Sequence, residues 1–166
     1  MSMDLKFEKL SSFNNGILYQ LLSDAYSFDC KYVDINKEKW LADDKFFFEN
    51  LDIADKYCFI STLNGEAIGF LAWDPRNLPE YAIIGDNCIV SKHKGKGYGK
   101  IQLEEAIKRI TQNDVKNIFV STDYDFHPAQ KMYESVGFIR LENSTLAPWQ
   151  LSQNADIYYG MEISTV

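Results

Sequence analysis

The chain has 166 residues, 46% of them hydrophobic and 25% charged, a composition that excludes disorder and fibrous repeats. Seventeen basic against 24 acidic side chains give a net charge of −7, which argues against a nucleic-acid binder, whose phosphate contacts need a basic face. The longest nearly unbroken apolar run, Ala67 to Trp73, is too short to cross a bilayer, and Met1 to Leu10 lacks the apolar core of a secretory signal. Three cysteines without CxxC spacing suggest neither a disulfide framework nor a zinc site. The expectation is one domain over residues 1–166, cytoplasmic, with no membrane, nucleic-acid or metal partner.

In chain order, Leu5 to Leu10 alternates apolar and polar residues and reads as a first strand. Asn14 and Asn15 are candidate caps for a helix with Ile17, Leu18, Leu21, Leu22 and Ala25 on one stripe. A second helix is expected from about Lys37 to Asn50, with Trp40, Leu41, Phe47 and Phe48 as its apolar positions. Tyr57 to Leu63 and Glu66 to Trp73 read as strands joined at Asn64-Gly65, a strong hairpin signal. The Asp74–Pro79 stretch is a loop and Tyr81 to Val90 a further strand. A helix with Ile101, Leu103, Ala106, Ile107 and Ile110 as its apolar positions follows, then a strand over Lys116 to Thr122. Pro128 suits the first turn of a helix with Ala129, Met132, Tyr133 and Val136 on one face, closed by Gly137. Gly137 to Leu141 and Asp156 to Ile163 complete the strands, on either side of a polar loop from Asn143 to Asn154. The order is that of a mixed α/β fold with an antiparallel first half.

Charge is unevenly spread. Lys92 to Lys100 holds four lysines and no acid, whereas Asp24 to Asp55 holds nine acids against four lysines. The basic island coincides with Lys94-Gly95-Lys96-Gly97-Tyr98-Gly99-Lys100, between a strand and a helix. Glycines let a ligand approach the backbone, and the amides at the start of the next helix favour phosphate. A P-loop would need glycine at 94 and serine or threonine at 101, where lysine and isoleucine stand. The dinucleotide fingerprint starting at Gly95 would need glycine at 100, which is lysine, and a βαβ setting rather than a hairpin.

The stretch Asn87 to Lys100 resembles the acetyl-CoA loop of the GNAT superfamily of N-acetyltransferases, Gln/Arg-x-x-Gly-x-Gly/Ala. Lys94, Gly97 and Gly99 stand at its positions, the lysine being a departure. Ala129 to Phe138 is similar to the family's second motif, Ala-x-x-x-Tyr-Glu-x-x-Gly-Phe. The resemblance implies a GNAT-type fold: a strongly twisted, largely antiparallel sheet of about seven strands, splayed between the fourth and fifth, with about four helices. It implies that Gly95, Lys96, Gly97, Tyr98, Gly99 and Lys100 wrap the pyrophosphate of acetyl-CoA. Asn87, Cys88 and Ile89 would end the strand whose backbone pairs with the pantetheine arm, which would enter between that strand and Lys116 to Thr122. Many relatives carry asparagine seven residues before the motif tyrosine. Here Phe126 stands there, so a cofactor contact is lost or taken over by His127.

Acetylation of an amine needs a neutral amine, a stabilised oxyanion and a proton for the departing thiolate. A backbone N–H of Cys88 or Ile89 could polarise the thioester carbonyl. The resemblance implies that Tyr133 is the general acid, and a tyrosine's ordinary pKa of about 10 keeps it protonated at neutral pH; on periodicity alone it would be a packing residue. Asp86, Glu80 and His127 are candidate bases, and a dedicated base is not obligatory. Cys88 with His93 or His127 could make an acyl-cysteine enzyme, but a buried strand cysteine is the plainer reading. No role is given to the Trp73–Arg76 loop or to Trp149. The function expected is acetyl transfer from acetyl-CoA to a primary amine by direct attack in a ternary complex. The alternatives are a non-catalytic acyl-CoA sensor and an enzyme for a longer acyl-CoA. The partner expected is a small-molecule or peptide amine, with a homodimer left open. The acid-rich span suggests cationic acceptors, unless its acids simply face solvent.

Overall fold

The computed structural model describes residues 3–142 and 155–164. The loop expected over Asn143 to Asn154, with Trp149, lies outside the described residues. Among the described residues seven strands, β1 (Leu5–Glu8), β2 (Cys58–Leu63), β3 (Glu66–Asp74), β4 (Tyr81–Ile89), β5 (Asn117–Thr122), β6 (Ile139–Arg140) and β7 (Ile157–Glu162), form one sheet in the order β1-β2-β3-β4-β5-β7-β6. Five α-helices of the described residues accompany them: α1 (Ile17–Ala25), α2 (Cys30–Glu49), α3 (Leu51–Tyr57), α4 (Tyr98–Thr111) and α5 (His127–Ser135). This is the mixed α/β architecture expected, with one more helix than the approximate count. The residues cluster into two compact units, 1–72 with 86–103, and 73–85 with 104–166.

In the first unit β1, β2 and β3 form an antiparallel meander. Asn64 (φ 51°) and Gly65 (φ 85°) make the hairpin between β2 and β3, both in the left-handed region that a primed turn requires. Of the stripe legible in the sequence, helix α1 buries Leu18, Leu21, Leu22 and Ala25 into a core with Ile60, Ile68, Phe70, Cys88 and Trp40 of α2, while Ile17 is partly buried against it. The cap of α1 differs from expectation. Its N-cap is Gly16, not Asn14 or Asn15, and the acceptor comes from α2. The Asp44 carboxylate, 5% exposed, takes the N–H of Gly16 at 2.8 Å and of Leu18 at 3.0 Å. Helix α2 also starts seven residues early, because Asp29 caps it by accepting from the Tyr32 N–H at 3.1 Å. Leu41, expected inside, is 43% exposed.

In the second unit β4 pairs β5 in parallel over Tyr81–Ile83 and Asn117–Phe119, and β5 pairs β7 antiparallel along its length. Ile118 and Val120 of β5 and Tyr159 of β7 are fully buried with Ala106 and Ile110 of α4. Pro128 stands in the first turn of α5, where a missing N–H costs nothing.

Candidate active site

The glycine loop belongs to the first unit and begins where β4 ends. A single 3₁₀ turn, Ser91–His93, leads into it and is fixed from α1. Asp24 Oδ1 accepts from the Ser91 N–H at 2.7 Å, and the Ser91 hydroxyl donates to the Asp24 carbonyl at 2.7 Å. Gly95 (φ 74°) and Gly97 (φ 88°) then take backbone angles that side-chain-bearing residues rarely adopt. The first intrahelical bond of α4 runs from the Ile101 N–H to Gly97 O at 3.2 Å, so the amides of Tyr98, Gly99 and Lys100 precede it. A dipole and donors of this kind suit an anion.

The four lysines do not act alike. Lys92 pairs with Glu66 at 2.5 Å. Lys94 turns back to donate to the carbonyl of Ala25 at the end of α1, its ammonium 4.5 Å from the Phe28 ring centroid. Burial lowers its pKa, against the opposing pull of Cys88 and Asp24. Lys94 therefore ties the loop to the end of α1. Lys96 and Lys100 are exposed and without an ion-pair partner among the described residues, so they are the charges left for an anion. Tyr98 begins α4. Its ring is buried edge-on to His93 at 5.9 Å, and its hydroxyl donates to Met3 Sδ at 3.0 Å.

Asn87, Cys88 and Ile89 close β4 ahead of that loop. Gly69 of β3 lets the backbone of β4 come close, since a Cβ there would stand 2.3 Å from the Cys88 carbonyl oxygen. Burial pushes the Cys88 thiol up to about 12, and neither ring nitrogen of His93 has a hydrogen-bond partner among the described residues. A protonated thiol without a base in contact is no nucleophile, so Cys88 is a core residue. Asp86, two residues back on the same face, is half-buried. Burial holds its carboxyl above the ordinary range, with Lys39 of α2 opposing and Asp43 reinforcing the shift. Lys39 itself is raised: burial lowers it, but Asp86 and its 2.7 Å bond to Asp43 outweigh that. Of the other candidate bases, Glu80 is bound to Lys116 at 2.7 Å and His127 is exposed at the start of α5.

Tyr133 lies in the second unit and is 5% exposed. Its ring packs on Phe138 at 5.9 Å and Tyr159 at 5.8 Å. The Tyr159 hydroxyl donates to Glu134 at 2.9 Å, and burial followed by that bond pushes its pKa up to about 12. Phe126, where relatives of the resembled family carry asparagine, is the N-cap residue of α5. Gln130 instead ties the preceding loop, donating to the carbonyls of Asp123 and Tyr124, each at 3.0 Å.

The model of the acetyltransferase (GNAT) family matches residues 17–138, most of the chain and both motifs up to Phe138. The chain belongs to the GNAT acetyltransferase family. Solved structures agree on the fold. A Streptococcus agalactiae acetyltransferase is 20% identical with a TM-score of 0.73, over 97% of this chain and 98% of its own. The protein PH1933 from Pyrococcus horikoshii is 15% identical with a TM-score of 0.74, over 98% of this chain and all of its own. A Bacillus anthracis protein solved with acetyl coenzyme A is 26% identical with a TM-score of 0.52, over 64% of this chain and 61% of its own. No curated protein matches the chain. Among the described residues of this acetyltransferase, no helix is long and apolar enough to cross a membrane.

Three residues that shape the site carried no sequence signal of it. Asp24, Asp44 and Gln102 act through partners 67, 26–28 and 14–41 positions away. The acid-rich span is also less free than its composition implied. Asp24, Asp29, Asp44 and Asp55 are bonded to backbone amides, and Asp43 and Glu49 to lysines.

Proposed function

We propose that this GNAT protein transfers the acetyl group of acetyl-CoA to a primary amine by direct attack in a ternary complex. The observation that carries this reading is the loop from Gly95 to Lys100, where two left-handed glycines precede the first amides of α4 and Lys96 and Lys100, without an ion-pair partner among the described residues, accompany them. The chemistry of that donor set fits a pyrophosphate. The acetyl-CoA complex of the Bacillus anthracis protein supports the same choice of ligand. Gly95, Lys96, Gly97, Tyr98, Gly99 and Lys100 would hold the diphosphate, and the backbone of Asn87, Cys88 and Ile89 would receive the acyl-pantetheine arm.

Asp86 is the best placed of the candidate bases, because burial moves its carboxyl toward the pH at which an amine must be deprotonated. Its negative charge, with Asp43 beside it, also favours an approaching ammonium. As the amine nitrogen bonds to the acyl carbon, its proton passes to Asp86; as the carbon–sulfur bond breaks, the thiolate takes a proton from Tyr133. The role of Tyr133 rests on its place in the motif Ala129 to Phe138. The test is CoA release from acetyl-CoA by the purified chain with a panel of primary amines. Amine-dependent steady turnover is expected. Stoichiometric CoA binding without turnover across the panel would leave a sensor, and faster release from a longer acyl-CoA would replace the acetyl donor.

A further inference from the structure

We propose that the side-chain amide of Asn87 donates to a carbonyl oxygen of the acyl-pantetheine arm, and that Gln102 is the residue that aims it. The proposal rests on the reading of acetyl-CoA as the ligand. Gln102, in the second turn of α4, is 0% exposed, a position where a helix normally carries an apolar side chain. Its Oε1 accepts from the Ser61 hydroxyl at 2.7 Å. Its Nε2 stands 3.0 Å from the Phe70 carbonyl oxygen, 3.2 Å from that of Cys88 and 2.7 Å from Asn87 Oδ1.

Two of those three acceptors are backbone carbonyls, which can only accept. That end of Gln102 is therefore its NH₂, and the atom of Asn87 facing it must be the oxygen. The geometry turns the NH₂ of Asn87 away from Gln102. There it is buried and has no hydrogen-bond partner among the described residues, although Asn87 as a whole is only half-buried. Native proteins rarely leave a buried amide donor unmade, so one that is left unmade calls for a partner or a functional role. The space for this arrangement is built in, since a Cβ on Gly69 would lie 2.3 Å from Cys88 O and 2.9 Å from Gln102 Oε1. A neutral carbonyl is the fitting acceptor. A buried neutral donor offers no counter-charge to a phosphate, and Lys96 and Lys100 stand farther along the chain for that purpose. The acyl-pantetheine arm offers amide carbonyls and the thioester carbonyl, and Asn87 adjoins both Asp86 and Cys88.

Asn87→Ala separates ligand binding from folding. The two N–H groups of Gln102 keep the Phe70 and Cys88 carbonyls as acceptors, and the unsatisfied donor disappears. The ligand-free variant should melt at or above the wild-type temperature, while binding weakens about tenfold, as for one lost hydrogen bond. Calorimetric titration with CoA and with acetyl-CoA reads this. Weakening of both assigns a pantetheine amide carbonyl, and weakening of acetyl-CoA alone assigns the thioester. Dissociation constants within twofold of wild type for both ligands overturn the proposal. So does a fall in affinity accompanied by a lower ligand-free melting temperature, because the amide would then be holding the strand. A wild-type protein that binds neither ligand overturns the underlying reading instead. For Gln102 as a positioning residue, Gln102→Met should weaken acetyl-CoA in the wild-type background but not further in Asn87→Ala. Equal weakening in both would make its part structural.

Discussion

Asp44→Asn is the sharpest probe of how the loop is held. The carboxylate bridges two amides at the start of α1, 2.8 Å from the Gly16 N–H and 3.0 Å from the Leu18 N–H, and is nearly out of contact with solvent. Asparagine keeps the shape but offers one oxygen and one NH₂, so one of those amides loses its acceptor and meets a donor. A charge-assisted hydrogen bond of this kind contributes about 1.5–3 kcal/mol. The lost negative charge at a helix N-terminus adds about 0.3–1 kcal/mol. Relief of the carboxylate's own desolvation offsets part of this. The net expectation is a loss of about 2–3 kcal/mol, or roughly 4–12 °C in Tm for a chain of this size. Urea unfolding followed by circular dichroism measures it, with Asp43→Asn as the control. Asp43 pairs with Lys39, whose side chain is 62% exposed, and an exposed pair of this type is worth about 0–1 kcal/mol. Because α1 ends on Asp24 and Ala25, which hold Ser91 and Lys94, Asp44→Asn should also weaken CoA binding. Equal stability for the two variants, both within about 0.5 kcal/mol of wild type, would refute the assigned cap.

Gly97→Glu puts a carboxylate and a disfavoured left-handed angle where the diphosphate is expected, so CoA affinity should fall by at least about tenfold on titration; unchanged affinity would disprove the loop assignment. Tyr133→Phe keeps the buried ring but removes the proposed proton donor, and kcat should fall by about 10²–10⁴-fold with little change in the Kd of CoA. An unaltered kcat would return Tyr133 to packing alone. Asp86 binds its proton more tightly folded than unfolded, so stability should decline as pH rises from the ordinary carboxyl value of 3.8 toward the raised native one. Asp86→Asn should flatten that slope in denaturation curves taken across pH, and in activity should remove the rise of kcat/KM over the same window; identical profiles would exclude Asp86 as the base.

Much of this was legible from local sequence, because local chemistry decided it. Asn64-Gly65 makes its hairpin since both residues tolerate positive φ. Four of the five expected apolar positions of α1 are buried, and Gly95 and Gly97 take the angles only glycine accepts freely. The family, too, could be read from two short motifs, and its model spans both. Periodicity placed Ile101 inside α4 and was silent on Gln102. The structure reverses them: Ile101 is 43% exposed and Gln102 fully buried. That exchange follows from what lies opposite. The Ser61 hydroxyl, two backbone carbonyls and the Asn87 amide converge on one spot, and only a side chain with both a donor and an acceptor satisfies them. In the same way the cap of α1 comes from Asp44, not from its neighbours Asn14 and Asn15, and two of the four lysines are spent on Glu66 and on the carbonyl of Ala25. The backbone angles of the hairpin turn and of the loop glycines are properties of a few consecutive residues, and the sequence by itself determined them. Which buried donor meets which acceptor depends on strands and helices brought together from distant parts of the chain, and only the tertiary structure decided it.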